Sequence, residues 1–222
     1  MLCIRTLLLV GAVALGSPSA FAACTAGAPI FSDEFTDTLG GWDADDHFTV
    51  ADGAGTALIA KGRSNFFELN NAFLVRDAIV CATVVFPAAD KVGKTASGDA
   101  NVPASGIMFA AKDYKNFFAL LVSSTGKFLF TRYSDSQWNN LTPWTASPAV
   151  KTGYGVENQI EVVLKGGVAT LSVNGQKVTA SRIQRPDGQS KFGFYAQLDE
   201  PASVDAGVPF QITHFVVNQP PS

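Results

Sequence analysis

Residues 106–150 read GIMFAAKDYKNFFALLVSSTGKFLFTRYSDSQWNNLTPWTASPAV, and residues 158–175 read NQIEVVLKGGVATLSVNG. Short runs rich in Phe, Val, Leu and Tyr are broken by SSTG (123–126), KGGV (165–168) and VNGQ (173–176), which are hairpin turns. Phe118, Leu120 and Val122 alternate onto one face. Phe128 and Phe130 continue an apolar face beyond the first turn, with Arg132 at its end. Ile160, Val162 and Leu164 repeat the pattern, as do Ala169, Leu171 and Val173. Gly166-Gly167 and Asn174-Gly175 accept positive φ at low cost, as primed two-residue turns require. The segment is an antiparallel β meander.

The same reading extends outward. Val80, Ala82, Val84 and Phe86 alternate with Cys81, Thr83 and Val85, which predicts a strand over 79–86. A first strand is expected around Phe31 to Phe35, followed by an acidic turn, and the last two strands fall at 188–195 and 210–217. No amphipathic pattern of period 3.6 persists past two turns outside the first 22 residues, so no helix is expected. Eleven to thirteen strands in two sheets would accommodate the pattern, making the fold all-β, an antiparallel two-sheet sandwich. The polar stretch 90–105, DKVGKTASGDANVPAS, is expected to be a functional or mobile loop.

The first 22 residues read as a signal peptide. Arg5 forms the positive region, Leu7 to Leu15 the apolar region, and Ala20-Phe21-Ala22 the small-x-small cleavage pattern. The expected address is a bacterial periplasm or the exterior, with residues 23–222 as a single β-sandwich domain. Phe21-Ala22-Ala23-Cys24 also loosely matches a lipid-anchor signal at Cys24, with Phe where a Leu-like residue is usual. No later stretch approaches the 18 apolar residues of a membrane span. Of three cysteines, Cys3 leaves with the leader, and Cys24 and Cys81 are expected to pair in an oxidising compartment. The formal net charge of −3, without a basic block, lacks the footprint of a nucleic-acid binder.

Four stretches carry a resemblance: residues 106–133, the QWNNLTPWTASPAV block, the NQIEVVLKGGVATLSVNG pair and the closing KFGFYAQ. Together they resemble the concanavalin A-like lectin and glucanase jelly-roll superfamily. The likeness is greatest to its 3-keto-disaccharide hydrolase-like branch, a domain of unknown function, and to the laminin-G-like branch. The opening FSDEFTDTLGGW is similar to that superfamily's first strand. The resemblance covers most of residues 30–217 and rests on core aromatics and turn glycines, so it speaks to fold more than to activity. It implies two large antiparallel sheets, one of them concave and often used to bind glycans.

The chemistry of individual residues is less specific. Glycoside hydrolysis draws on two carboxylates flanking the scissile bond, and the acidic strand motif of glucanases on this fold is missing. Glu161, Asp113 and Glu68 each stand alone. Asp33-Glu34 and Asp43, Asp45 and Asp46 read as solvated turn acids, with calcium as the sharper alternative; no other cofactor or metal is expected. Two histidines, His47 and His214, do not make a zinc site, and no G-x-S-x-G elbow accompanies them. His214 shares the alternation of Phe210, Ile212 and Val216, so a partly buried structural role is expected.

What remains is the segment 132–144. Arg132, Tyr133, Gln137, Trp138, Asn140 and Trp144 combine rings for stacking on sugar CH faces with planar groups for hydroxyls. Asp135 and Asn139 lie among them, and Lys115 and Asn116 are secondary candidates. The two Trp residues also suit packing across a sheet edge. The first expectation is an exported lectin-like module whose partner is a glycan, without catalytic residues of its own. The alternatives are a glycoside hydrolase of the keto-disaccharide type, using Asp113, Asp135 or Glu161 with Arg132, and an adhesive envelope protein.

Overall fold

A computed structural model of the chain describes Cys24 and residues 27–36, 40–43 and 46–221. The signal peptide, its cleavage site and Asp45 lie outside the described residues. None of the described residues is helical, and they form fourteen strands in two antiparallel sheets. The first sheet runs β12 (Gln176–Arg182), β11 (Val168–Val173), β10 (Glu157–Lys165), β5 (Ala78–Val85), β14 (Val208–Asn218), β3 (Ala54–Ile59) and β2 (Phe48–Ala51). In addition, β1 (Pro29–Asp33) pairs with β14. The second sheet runs β4 (Asn65–Val75), β13 (Ser190–Leu198), β6 (Pro103–Asp113), β7 (Asn116–Ser123), β8 (Lys127–Ser134) and β9 (Gln137–Ala146).

The strands predicted from alternation form the core between these sheets. Val80, Ala82 and Val84 from β5 meet Phe118, Leu120 and Val122 from β7 and Phe128 and Phe130 from β8 in one buried cluster. Burying such large side chains stabilises each by about 1.5–3 kcal/mol. Both dipeptide turns take the predicted conformation, with φ of 57° and 79° at Gly166 and Gly167 and 48° and 77° at Asn174 and Gly175. A third primed turn, Asp135-Ser136 with φ of 52° and 63°, joins β8 to β9 without a glycine.

Fourteen strands exceed the eleven to thirteen expected, and the additional ones are polar or irregular. At the sheet edge, β9 carries Pro143 and is mostly exposed, which the alternation test does not detect. The first strand ends at Asp33, and Phe35 beyond it has φ 52°. The loop expected over 90–105 ends earlier, because Pro103 opens β6. It is stitched to 200–203: the buried Asn101 side chain bonds Glu200 O at 2.8 Å, and Ala96 N donates to Glu200 Oε2 at 2.7 Å.

His214 is half-buried and partnered, as expected, but for a local reason it leaves the strand face it was expected to share. The register of β14 shifts between Thr213 and Val216, and His214 takes φ 52°. The bulge flips the alternation, so Phe215 and Val217 enter the core in place of His214 and Val216. The imidazole pairs with Glu34 at 2.8 Å. The Cys24–Cys81 disulfide forms as expected and fastens the N-terminal segment to the middle of the first sheet.

Candidate functional site

β7 is apolar on both faces. Phe118, Leu120 and Val122 point between the sheets, while Phe117, Ala119 and Leu121 point outward and join Met108, Leu129, Leu69 and Tyr195 in a second cluster. A continuous apolar run of this kind signals a strand covered on both sides. The outer cover is a platform of rings. Phe67 meets Tyr195 at 4.5 Å between centroids, and Phe117 meets Phe67 and Tyr133 at 5.5 Å. On top lies Trp138, which is 4.6 Å from its cross-strand partner Tyr133 and stacked 5.8 Å from Tyr195. Its indole is 45% exposed, so a ring fixed by four aromatic neighbours presents a face to solvent.

Beside this face runs a groove of 320 Å³ lined by Trp138, Asn140, Tyr195, Gln197 and Asp199, with Ser64 and Asn65 at one wall. The Tyr195 hydroxyl donates to Gln197 Oε1 at 2.7 Å, and burial pushes its pKa above the ordinary tyrosine range. An adjoining recess contains Trp144, Ser123, Thr125 and Lys127, and shares Asp199 with the groove. Burial pushes the Asp199 carboxyl above the ordinary aspartate value of 3.8; the Lys127 charge opposes the shift and Glu200 adds to it. Asp199 remains an exposed residue overall, so the shift is modest.

The structure therefore divides the six residues singled out in the sequence. Tyr133, Trp138, Asn140 and Trp144 lie on the outer face of the six-stranded sheet. Arg132 and Gln137, one residue from Tyr133 and Trp138 respectively, point to the opposite face by strand alternation. Arg132 instead stands over the Phe118 ring, 5.6 Å from its centroid. The groove also includes residues the sequence reading missed, namely Tyr195, Gln197 and Asp199, and the ring platform beside it includes Phe67. Tyr195 and Gln197 sit two apart on β13, which is the spacing that puts both on one face.

The isolated acids do not gather. Glu161 belongs to the first sheet, where its carboxylate lies within 4.8 Å of the Cys24 and Cys81 sulfurs, and burial pushes its pKa up against a Ser172 hydrogen bond. Among the described residues that trio is the one grouping of three potential metal donors, and two of its members are joined as a disulfide. The Asp113 carboxyl is pushed up by burial but held below its usual value by Lys115 N and the Asn116 amide. The N-terminal acids are engaged as well. Asp33 accepts from the Phe35 amide at 2.7 Å and the Trp42 indole at 2.9 Å, and Asp43 from the Asn71 amide at 3.2 Å.

No family model matches the sequence, and no curated protein is detectably similar. Solved structures do match, and they show the fold, an antiparallel two-sheet jelly-roll sandwich of concanavalin A-like form. The carbohydrate-binding module CBM66 from Bacillus subtilis superposes with a TM-score of 0.60 at 11% identity, over 81% of this chain and 96% of that one. The Emp47p carbohydrate recognition domain gives 0.56 at 15% identity, over 86% and 96%. The Bacillus licheniformis β-glucanase gives 0.54 at 14% identity, over 89% and 100%. Identities this low speak to the fold alone.

Proposed function

We propose that this chain is an exported carbohydrate-binding module that holds a glycan on the outer face of its six-stranded sheet. The observation that carries the reading is Trp138, an exposed indole immobilised on other rings beside amide and carboxyl groups. A sugar CH face stacks on such a ring without the entropy loss of ordering it, and Asn140, Gln197 and Asp199 offer partners to hydroxyls. Solved proteins of the same fold include a carbohydrate-binding module and a carbohydrate recognition domain, which supports this choice. Export rests on the basic and apolar leader of residues 1–22.

Glycan-array screening of the protein, repeated on Trp138→Ala and Trp144→Ala, tests the reading. A glycan retained by the native protein and lost from folded Trp138→Ala supports it. An array without any ligand would move the function to a protein partner at the cell envelope.

A glycosidase is the second reading, and Asp199 is what favours it, a carboxyl with raised pKa in an aromatic groove. Asp199 is the one acid among the described residues lining the groove and its adjoining recess, whereas glycosidases draw on two. Turnover of an oligosaccharide, abolished in Asp199→Asn, would establish the enzyme.

Under the binding reading Asp199 also sets a pH dependence. Its carboxylate accepts hydroxyl hydrogen bonds better than the neutral acid, so affinity falls as pH drops through its raised pKa. The midpoint is expected above the ordinary value of 3.8, and Asp199→Asn should flatten the profile. Titrations between neutral pH and the onset of acid unfolding check this, and an unchanged slope in Asp199→Asn would remove Asp199 from the site.

A further inference from the structure

On the other side of the second sheet, a cleft opens between the ends of β6, β7 and β8 and the 184–187 segment that follows β12. Its wall is fixed by Arg185, whose guanidinium bonds Asp77 at 2.6 Å and the Arg76 carbonyl, and whose side chain is nearly buried. Arg132 projects into the same cleft over Phe118. Unlike Arg185, its guanidinium has neither an ion pair nor a hydrogen bond among the described residues. A half-buried cation standing over a ring, with its donors unused among the described residues, has the form of a prepared partner for a planar anion.

We propose that this cleft is a second ligand site, for the carboxylate of an acidic sugar of the uronic acid class. Four observations select the ligand. Arg132 provides a fork that matches a carboxylate bidentately. Asn116 and Gln184 supply amides for ring hydroxyls, and Phe118 and Pro186 supply an apolar wall. Of the cations lining the cleft, Arg185 is paired with Asp77 and Lys112 is offset by Asp187, which leaves the single charge of Arg132, so a single delocalised anion is accommodated better than a doubly charged phosphate. The cleft holds 240 Å³, short of the roughly 300 Å³ at which pockets for drug-sized ligands begin, so it takes one ring rather than a chain. The site lies across the sheet from the Trp138 platform, because Arg132 and Tyr133 point to opposite faces of β8, and Phe117 is the one described residue bordering both.

The test is an NMR titration of the protein with galacturonate and glucuronate, their methyl esters and inorganic phosphate. One of the two acids is expected to bind saturably and to shift Arg132 and Asn116 signals. Its ester and phosphate should bind at least about tenfold more weakly, the loss of one charge-assisted pair. Arg132→Gln should lose about tenfold and Arg132→Lys less, because a lysine keeps the charge but not the fork, while Trp138→Ala should leave the affinity unchanged. Equal binding of ester and acid, equal binding of phosphate, or an unaffected and folded Arg132→Gln would overturn the proposal. Loss of uronate binding in Trp138→Ala would also overturn it, by assigning the acid to the aromatic platform and leaving that platform's own function standing.

Discussion

Replacing Cys24 and Cys81 together with Ala lowers the free energy of unfolding by about 4 kcal/mol, the chain-entropy value for a loop of this length. The two cysteines are 57 residues apart with Cα atoms at 5.9 Å, within the range an unstrained bridge spans. Cys81 lies on β5 between β10 and β14, so the crosslink acts at the centre of the first sheet rather than at a fraying edge. The Asn218 amide donates to Cys24 O at 2.6 Å, which gives the tethered segment a partner of its own. Denaturant melts of the oxidised protein and of the double variant measure the difference. Coincident midpoints would mean that the crosslink contributes nothing to the stability of the closed fold.

Gly193→Ala has the next largest expected effect. Gly193 lies on β13 opposite Leu69 of β4, and an added β-carbon would sit 2.0 Å from the Glu68 carbonyl oxygen and 2.9 Å from Leu69 Cα. Backbone atoms cannot rotate away as a side chain could, so the two strands must part. Overpacking of this kind costs about 3 kcal/mol. The same strand pair sets Tyr195 against Phe67 two residues further on, so the substitution should also disturb the platform beneath Trp138. A denaturation midpoint shift together with weaker glycan binding is the expected result. A variant within about 0.5 kcal/mol of native, the range of an ordinary surface change, would show that the sheet yields more readily than this contact implies.

The meander was legible because its signals are local. Phe118, Leu120 and Val122 alternate, and Gly-Gly and Asn-Gly dictate their own turns. The Cys24–Cys81 pairing followed from the cysteine count and compartment. The edge strand β9 was not legible as a strand because an exposed strand needs no apolar alternation, and Pro143 reads as a break. His214 was misplaced because a bulge inverts the alternation without a marker in composition. The candidate site was half legible. The sequence named Tyr133, Trp138, Asn140 and Trp144, but neighbours in sequence are not neighbours on a sheet face, so Arg132 and Gln137 were grouped with them. Phe67 on β4, and Tyr195, Gln197 and Asp199 on or just past β13, are distant in sequence from Trp138, and only strand pairing brings the first against the indole and the others to the groove.

The central claim is that Trp138 carries the ligand, and the indole N–H resonances test it most directly. The chain has three tryptophans. Trp42 is buried and its indole donates to Asp33 at 2.9 Å, whereas Trp138 and Trp144 border the groove and its adjoining recess. On titration with an array-identified oligosaccharide, the Trp138 signal is expected to shift saturably while that of Trp42 stays in place. Saturable binding that leaves the Trp138 resonance unmoved would contradict the account.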